Sequence, residues 1–132
     1  MATGDILEPK VHRRKTFRAK GLFKTLGPGL LESVYEATLD YELKKRGLYV
    51  VQQVPLPVYY DEIKLQVGFR IDLLVNEKVI IEIKSVEALA PIHRKQLETY
   101  LRLTDLRLGL LINFNVELIK RGIQRVVNRL AE

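Results

Sequence analysis

The chain has 132 residues, of which 47% are hydrophobic and 29% are charged, and its formal net charge is +6. This length fits one domain, and this composition is that of a globular protein and not of a disordered one. The absence of cysteine excludes disulfides, thiolate nucleophiles and cysteine-ligated zinc. No apolar run reaches the roughly 20 residues of a membrane-spanning helix, and the first residues show no secretory signal, so we expect a cytoplasmic protein without a membrane partner.

The positive charge is concentrated near the N-terminus. Residues 1–26 hold seven Lys or Arg against two acids, whereas the rest of the chain holds 15 basic and 14 acidic residues. A basic arm binds phosphates without sequence preference, although a solvated leader without a role has the same composition. We therefore divide the chain into a basic arm at residues 1–18, flexible in this interpretation, and a single domain at residues 19–132.

The first elements predicted in that domain are helices. A short amphipathic helix is expected to end near residue 26, before the sequence LGPG. A second helix should run from about Leu30 to Arg46 and stop at Gly47, which suits a C-cap position. The apolar stripe predicted for this helix is Leu31, Val34, Tyr35, Thr38 and Tyr41.

Three strands are predicted next. Residues 48–60 are rich in β-branched and aromatic side chains, but Pro55 and Pro57 cannot donate to a ladder. This strand should therefore lie at an edge of the sheet or be irregular. Residues 64–75 and 79–84 are expected to form a hairpin.

The C-terminal part of the chain predicts a helix, a strand and a final helix. The first helix starts at Pro91 and runs to about Thr104, residues 107–114 form a buried strand, and the last helix starts at about Val116. The resulting order is α-β-β-β-α-β-α. It indicates a mixed α/β fold in which helices flank a central sheet.

The predicted hairpin carries the candidate chemistry. Arg70, Asp72, Glu82 and Lys84 share one parity along its strands and collect charge at one end. The residues of the other parity, which should face the core, are all aliphatic: Ile71, Leu73, Val75, Val79, Ile81 and Ile83.

A three-residue turn at 76–78 pairs Val75 with Val79. The same register places Asp72 opposite Glu82, with Cβ atoms roughly 4.5–5.5 Å apart. Opposed carboxylates destabilise a sheet unless something compensates, and a divalent cation such as Mg²⁺ commonly binds one or two carboxylates together with substrate phosphates.

Lys84 lies two residues beyond Glu82 on the same face. In that position a lysine orients an attacking water or stabilises charge on a phosphate. A structural salt bridge of Asp72 with Arg70 or Lys84 is the alternative, and the spacing alone does not decide between the two.

An acid on one strand, followed by Glu-Ile-Lys at the end of the next, resembles the PD-(D/E)XK nuclease superfamily. The segment GLLESVY at residues 29–35 resembles the G-x-x-E-x-x-Y signature of the GxxExxY family within it, and the resemblance covers about residues 26–130. It implies a restriction-endonuclease-like αβββαβα core and metal-dependent hydrolysis of phosphodiester bonds with Mg²⁺ or Mn²⁺. The partner implied is nucleic acid, and we expect DNA.

The same resemblance assigns roles by position. Asp72 and Glu82 would be metal ligands, Lys84 would be the catalytic lysine, and Ile71 stands where the superfamily usually has proline. A glutamate that the superfamily often adds from its first core helix matches Glu32. As an alternative, Glu32 is an acid that interacts favourably with the helix dipole in a first turn.

Gln96 and Tyr100 lie at i and i+4 on one helical face and resemble the Q-x-x-x-Y element of RecB-type nucleases. In that resemblance they line the site, whereas an exposed Gln and a core Tyr are the plain alternative. Two other functions stay open. One is a non-cleaving nucleic-acid-binding or regulatory module that retains the fold, and the other is a subunit that needs a homodimer or a partner protein.

Overall fold

A computed structural model of the protein describes residues 21–129, and one five-stranded sheet forms the centre of this part of the chain. The basic arm predicted at residues 1–18 lies outside the described residues. The strands follow one another across the sheet in sequence order, β3 and β4 are parallel, and the other neighbours are antiparallel. The strands are β1 (Val50–Tyr60), β2 (Ile63–Val75), β3 (Val79–Lys84), β4 (Leu108–Asn113) and β5 (Ile123–Val127).

Two helices cover opposite faces of the sheet: α1 (Glu32–Lys45) and α2 (Pro91–Thr104). Helix α1 ends just before Gly47, which adopts a left-handed φ of 83° and so provides the predicted C-terminal stop. A further helical segment occupies residues 21–26. None of the helices within residues 21–129 has the length and apolar character needed to cross a membrane.

Both faces of the sheet are buried, each in its own apolar cluster. Side chains of α1, including Tyr35 and Leu39, pack against Leu73, Val79 and Ile81 in the first cluster. The second cluster joins α2 to the opposite face and contains Ile71, Ile80, Leu97, Tyr100, Leu101, Leu111 and Val126. A mixed sheet between helices, as the sequence predicted, is therefore the observed architecture.

The edge position predicted for the first strand is confirmed. Among the strands of residues 21–129, β1 pairs with β2 alone, and its register shifts between Leu56 and Val58, on either side of Pro57. Since proline has no N–H to donate, a break of the ladder at this point is the expected consequence.

In β1 and β2, the alternation of side chains between the two faces of the sheet is interrupted at Gln53 and Asp72. Leu73 packs in the α1-side cluster but Ile71, of the same parity, packs in the α2-side cluster. All six aliphatic residues are buried, as predicted. They do not all share one face of the sheet, because Ile71 packs on the α2 side. On β1 the change occurs at Gln53, whose left-handed φ of 53° interrupts the alternation of side chains.

The apolar stripe predicted for α1 is wrong in most positions. Leu31, Val34 and Tyr41 are 74%, 39% and 62% exposed, whereas Leu39 and Leu43 are buried. The rotation of the helix follows from Tyr35, whose ring stacks on Phe114 at 4.4 Å between centroids. The helix carries more apolar residues than one face can bury, so this tertiary contact decides which of them become core.

The final helix predicted from about Val116 is also wrong. The chain forms a short 3₁₀ turn at Ile119–Arg121 and then β5, which pairs antiparallel with β4. The spacing of the apolar residues fits a helix, but the free edge of β4 offers a ladder of hydrogen bonds that a helix would leave unmade. Gly122 permits the turn, because a Cβ there would lie 2.1 Å from the carbonyl oxygen of Asn113.

Candidate active site

The hairpin of β2 and β3 has the predicted register. Val75 pairs with Val79, and Leu73 pairs with Ile81. The paired ladder ends there, one position before Asp72 and Glu82 would oppose each other.

Asp72 and Glu82 instead bond to each other's strand. The backbone N–H of Asp72 donates to Glu82 Oε2 at 2.8 Å, and the backbone N–H of Ile83 donates to Asp72 Oδ2 at 2.8 Å. The carboxylates thus accept bonds from N–H groups that a continued ladder would direct to carbonyls. This reciprocal pairing fixes the two acids side by side at the end of the hairpin.

Burial governs the charge state of this pair. Glu82 is 3% exposed, and desolvation together with the neighbouring charge of Asp72 raises its pKa to about 8. Desolvation also raises the pKa of Asp72, although the Ile83 N–H and the charge of Lys84 oppose this. A divalent cation would supply the positive charge that lets the buried Glu82 and the half-buried Asp72 ionise together.

Glu32, at the start of α1, reaches the end of β3. Its Oε2 accepts from the backbone N–H of Ser85 at 3.2 Å, and Ser85 Oγ donates to the carbonyl of Leu30 at 2.7 Å. These bonds place Glu32 beside the residue that follows Lys84. The Glu32 side chain therefore points toward the end of β3.

Glu36, one turn further along α1, is a residue that sequence reasoning missed. Its Oε1 accepts from Gln53 Nε2 at 2.8 Å, and the same amide nitrogen donates to Asp72 Oδ1 at 3.3 Å. Desolvation raises the pKa of Glu36, with a further contribution from the charge of Asp72. The spacing of four residues from Glu32 was the available signal, whereas nothing in the sequence predicted the left-handed Gln53 that joins Glu36 to Asp72.

The predicted ligands Glu32, Asp72 and Glu82 are not gathered into one cluster. Within residues 21–129, no three His, Cys, Asp or Glu side chains converge closely enough to hold a metal ion. Asp72 and Glu82 adjoin each other, whereas Glu32 is bonded to Ser85 and an amide group lies between Glu36 and Asp72. The adjacent carboxylate pair alone fits a hard cation that completes its shell with water and phosphate oxygens.

Lys84 and Gln96, two of the predicted site residues, are in contact. Lys84 Nζ donates to Gln96 Oε1 at 3.4 Å, which ties the end of β3 to α2. Tyr100 is 3% exposed and belongs to the α2-side cluster. Desolvation raises its pKa, with a smaller contribution from the charge of Glu82, so its hydroxyl lies within electrostatic reach of the acidic pair.

Asn113 is a second residue that sequence reasoning missed. It is buried and pairs with Lys84 across the parallel strands. Its side chain accepts from the Val86 N–H at 3.1 Å and donates to the Val86 carbonyl at 3.0 Å. The segment after Lys84 is thereby fixed to the sheet.

Two adjacent carboxylates and a lysine, at one end of a mixed sheet between helices, define the class of protein as nuclease-like. A family model of the PD-(D/E)XK nuclease superfamily matches residues 14–126, and the chain belongs to that superfamily. The fold class predicted from the sequence is thus confirmed, and nucleases of the superfamily generally use divalent metals and act on nucleic acid. No curated protein and no solved structure matches the chain.

Proposed function

We propose that the protein is a nuclease that hydrolyses phosphodiester bonds of DNA with Mg²⁺ or Mn²⁺. The observation that carries this proposal is that the carboxylates of Asp72 and Glu82 lie side by side, each bonded to a backbone N–H of the other strand. Lys84 follows two residues after Glu82 on β3. A divalent cation held by this pair would polarise a phosphate oxygen and lower the pKa of a bound water. Side chains of the protein would hold the cation, orient the attacking water and stabilise charge on the phosphate.

Asp72 and Glu82 are the direct ligands in this proposal. Glu32 faces the same end of β3 from α1 and binds through its carboxylate or through a water. Lys84 orients the attacking water and stabilises charge on the phosphate. Gln96 positions the Lys84 ammonium through the bond to Nζ, and Tyr100 lines the site from α2.

We also propose that the chain belongs to the GxxExxY family, because each signature residue has a local role. Gly29 has a left-handed φ of 93°, and the Tyr35 hydroxyl donates to the Gly27 carbonyl at 2.5 Å and accepts from the Leu30 N–H at 3.1 Å. Glu32 bonds to Ser85. The signature thus supports the start of α1 and its position against the end of β3.

Cleavage assays test the proposed activity. Wild type, Asp72→Ala and Lys84→Ala are incubated with labelled linear, nicked, branched and single-stranded DNA, and with the matching RNA, in Mg²⁺, Mn²⁺ or EDTA. We expect metal-dependent cleavage of DNA by wild type and a loss of about a hundredfold or more in each variant, as when one group that stabilises a transition state is removed. Asp61→Ala, in the exposed turn between β1 and β2, is the matched control and should retain full activity.

Failure of the wild type on the whole panel would overturn the nuclease proposal. The second candidate, a non-cleaving nucleic-acid-binding module, has one observation in its favour, namely that no three-carboxylate cluster exists among residues 21–129. Filter binding of the same substrates by wild type would then identify this module.

The basic arm at residues 1–18 is proposed to contact phosphates without reading sequence. Phosphate contacts release counterions, so their number sets the dependence of affinity on salt. A chain that lacks residues 1–18 should show a shallower dependence than the full chain in the same DNA-binding titrations. An unchanged slope would assign the arm no part in binding.

A further inference from the structure

A cavity of about 400 Å³ lies beside Lys84, between β2 and α2. The volume falls in the range of small-molecule sites. Lys84 lines this cavity and lies two residues after Glu82 on β3, so the cavity adjoins the Asp72–Glu82 pair. It is lined by Phe69, Lys84, Ile92, His93, Lys95, Gln96, Thr99 and Tyr100.

Three of the lining residues, Phe69, Ile92 and Tyr100, are aromatic or apolar. The rings of Phe69 and Tyr100 meet edge to face, with 5.9 Å between their centroids and an interplanar angle of 67°. Phe69 is 37% exposed and Ile92 is 65% exposed. Apolar surface of this kind inside a cavity favours a flat, apolar group as its occupant.

The cavity also has cationic and polar lining residues. Lys84 and Lys95 contribute ammonium groups, Gln96 and Thr99 contribute hydrogen-bonding groups, and none of the lining residues is acidic. A ligand that matches both sets of lining residues therefore joins a flat ring to an anionic group. A nucleotide unit of a nucleic-acid strand has this composition, with a base for the rings and a phosphate for the lysines.

We propose that this cavity takes one unpaired base of the substrate strand, while the adjoining phosphate lies against Lys84 and Lys95. This inference rests on the proposed nuclease function and names its substrate as a strand that is single-stranded or frayed at the position to be cut. A base inside an intact duplex is stacked and paired, so it enters a pocket only after it is unstacked. Stacking on aromatic rings is tolerant of base identity, so no sequence preference is expected from the cavity.

The test compares two labelled strands of equal length and charge, oligothymidylate and a strand of abasic nucleotides. Affinities are measured by fluorescence anisotropy with the full chain in EDTA, so that no cleavage occurs. We expect wild type to bind oligothymidylate about fivefold more tightly or better, which is the lower end of the stacking contribution of one base. Phe69→Leu removes the ring but keeps an apolar side chain, and it should lower this preference to about twofold or less.

Two further variants keep the test decisive. Thr99→Met narrows the cavity from α2 and should lower the preference in the same way, even if Phe69→Leu perturbs folding. Tyr59→Leu is the matched control, because Tyr59 is an exposed aromatic residue of β1 that does not line the cavity. Equal binding of both strands by wild type, or a full preference in Phe69→Leu and Thr99→Met, would overturn the proposal.

The outcome separates this inference from the proposed nuclease function. Cleavage that depends on Asp72, without any preference for bases, would leave the nuclease proposal standing and remove the base-binding cavity. A preference that depends on Phe69, without cleavage in any metal, would support the cavity in a protein that binds strands and does not cut them.

Discussion

The carboxylates of Asp72 and Glu82 each accept a backbone N–H from the opposite strand at the end of the β2–β3 hairpin, Glu82 from Asp72 and Asp72 from Ile83, both at 2.8 Å. The pairing gives the sheet a well-defined end and places the buried carboxylate of Glu82 next to the half-buried carboxylate of Asp72. Without a cation, a proton on Glu82 relieves the repulsion between the two charges.

The stability of the metal-free protein should fall as pH rises from the ordinary value of 4.5 for a glutamate toward about 8. Over this interval the folded state holds a proton on Glu82 that the unfolded state has lost, so folding takes up a proton and the free energy of unfolding decreases with pH. The decrease amounts to a few kcal/mol at most. Thermal unfolding in EDTA across this pH range measures it.

Glu82→Gln is the control for this pH dependence. The amide is neutral at every pH, so the variant should lose most of the decrease and be more stable than wild type above pH 8. The smaller contributions of Asp72 and Glu36, whose pKa values are raised as well, should remain. An identical pH profile in wild type and Glu82→Gln would contradict the assignment.

Binding of Mn²⁺ should distinguish the two acids of α1. Glu36 shares the Gln53 amide with Asp72, whereas Glu32 is bonded to Ser85. We therefore expect Glu36→Gln to weaken Mn²⁺ affinity more than Glu32→Gln, by about tenfold or more, which is the usual effect of losing a group that orients a ligand. Isothermal titration of Mn²⁺ into each variant measures this, with the exposed Glu77→Gln as the control. A larger loss in Glu32→Gln would contradict this order and show that Glu32 binds the cation directly and not through a water.

Gln53 has an unfavourable backbone conformation, but its side-chain amide donates to both Glu36 and Asp72. Its φ of 53° costs any residue other than glycine about 1 kcal/mol or more. Gln53→Ala and Gln53→Gly both remove the amide bonds, but only glycine relieves the backbone. Gln53→Gly should therefore be more stable than Gln53→Ala by about 1 kcal/mol in urea unfolding.

If Gln53 acts through Asp72, both variants should lose Mn²⁺ affinity to the same extent despite their different stabilities. Unequal losses that follow stability would assign Gln53 a purely structural part.

Two glycines should differ in their tolerance of a methyl group. At Gly109 a Cβ would lie 2.8 Å from Leu97 Cδ1, the end of a flexible side chain, whereas at Gly122 it would lie 2.1 Å from the backbone oxygen of Asn113. Gly109→Ala should cost about 1–3 kcal/mol, as overpacking of a core usually does. Gly122→Ala should cost more, because it separates Gly122 from Asn113 and breaks their 2.8 Å backbone bond. Urea unfolding of both variants checks the order, and a milder effect at Gly122 would contradict it.

The hairpin and its charged end were predictable because they depend on local features. A three-residue turn fixes the pairing of Val75 with Val79, and alternation then fixes the neighbours of Asp72. The start of α2 at Pro91 and the end of α1 before Gly47 were predictable for the same reason, since each follows from the conformation of one residue.

The predictions from sequence were wrong where a contact between residues distant in sequence determines the local structure. The residues of β5 have a spacing that fits a helix, and only the open edge of β4 makes them a strand. The rotation of α1 follows from the stacking of Tyr35 on Phe114, which lies far away in sequence. The bridge from Glu36 through Gln53 to Asp72 needs a left-handed residue inside a strand, which no sequence pattern indicates.

The change of face at Gln53 and Asp72 has a consequence for how activity and folding are linked. β2 contributes Leu73 to one apolar cluster and Ile71 to the other, with Asp72 between them. Loss of packing in either cluster should therefore displace the carboxylate of Asp72. Neither cluster should become mobile without changing the geometry of the candidate active site. In the proposed nuclease, heat inactivation should accordingly coincide with global unfolding, and mild core mutations on opposite sides of the sheet should impair cleavage in the same way.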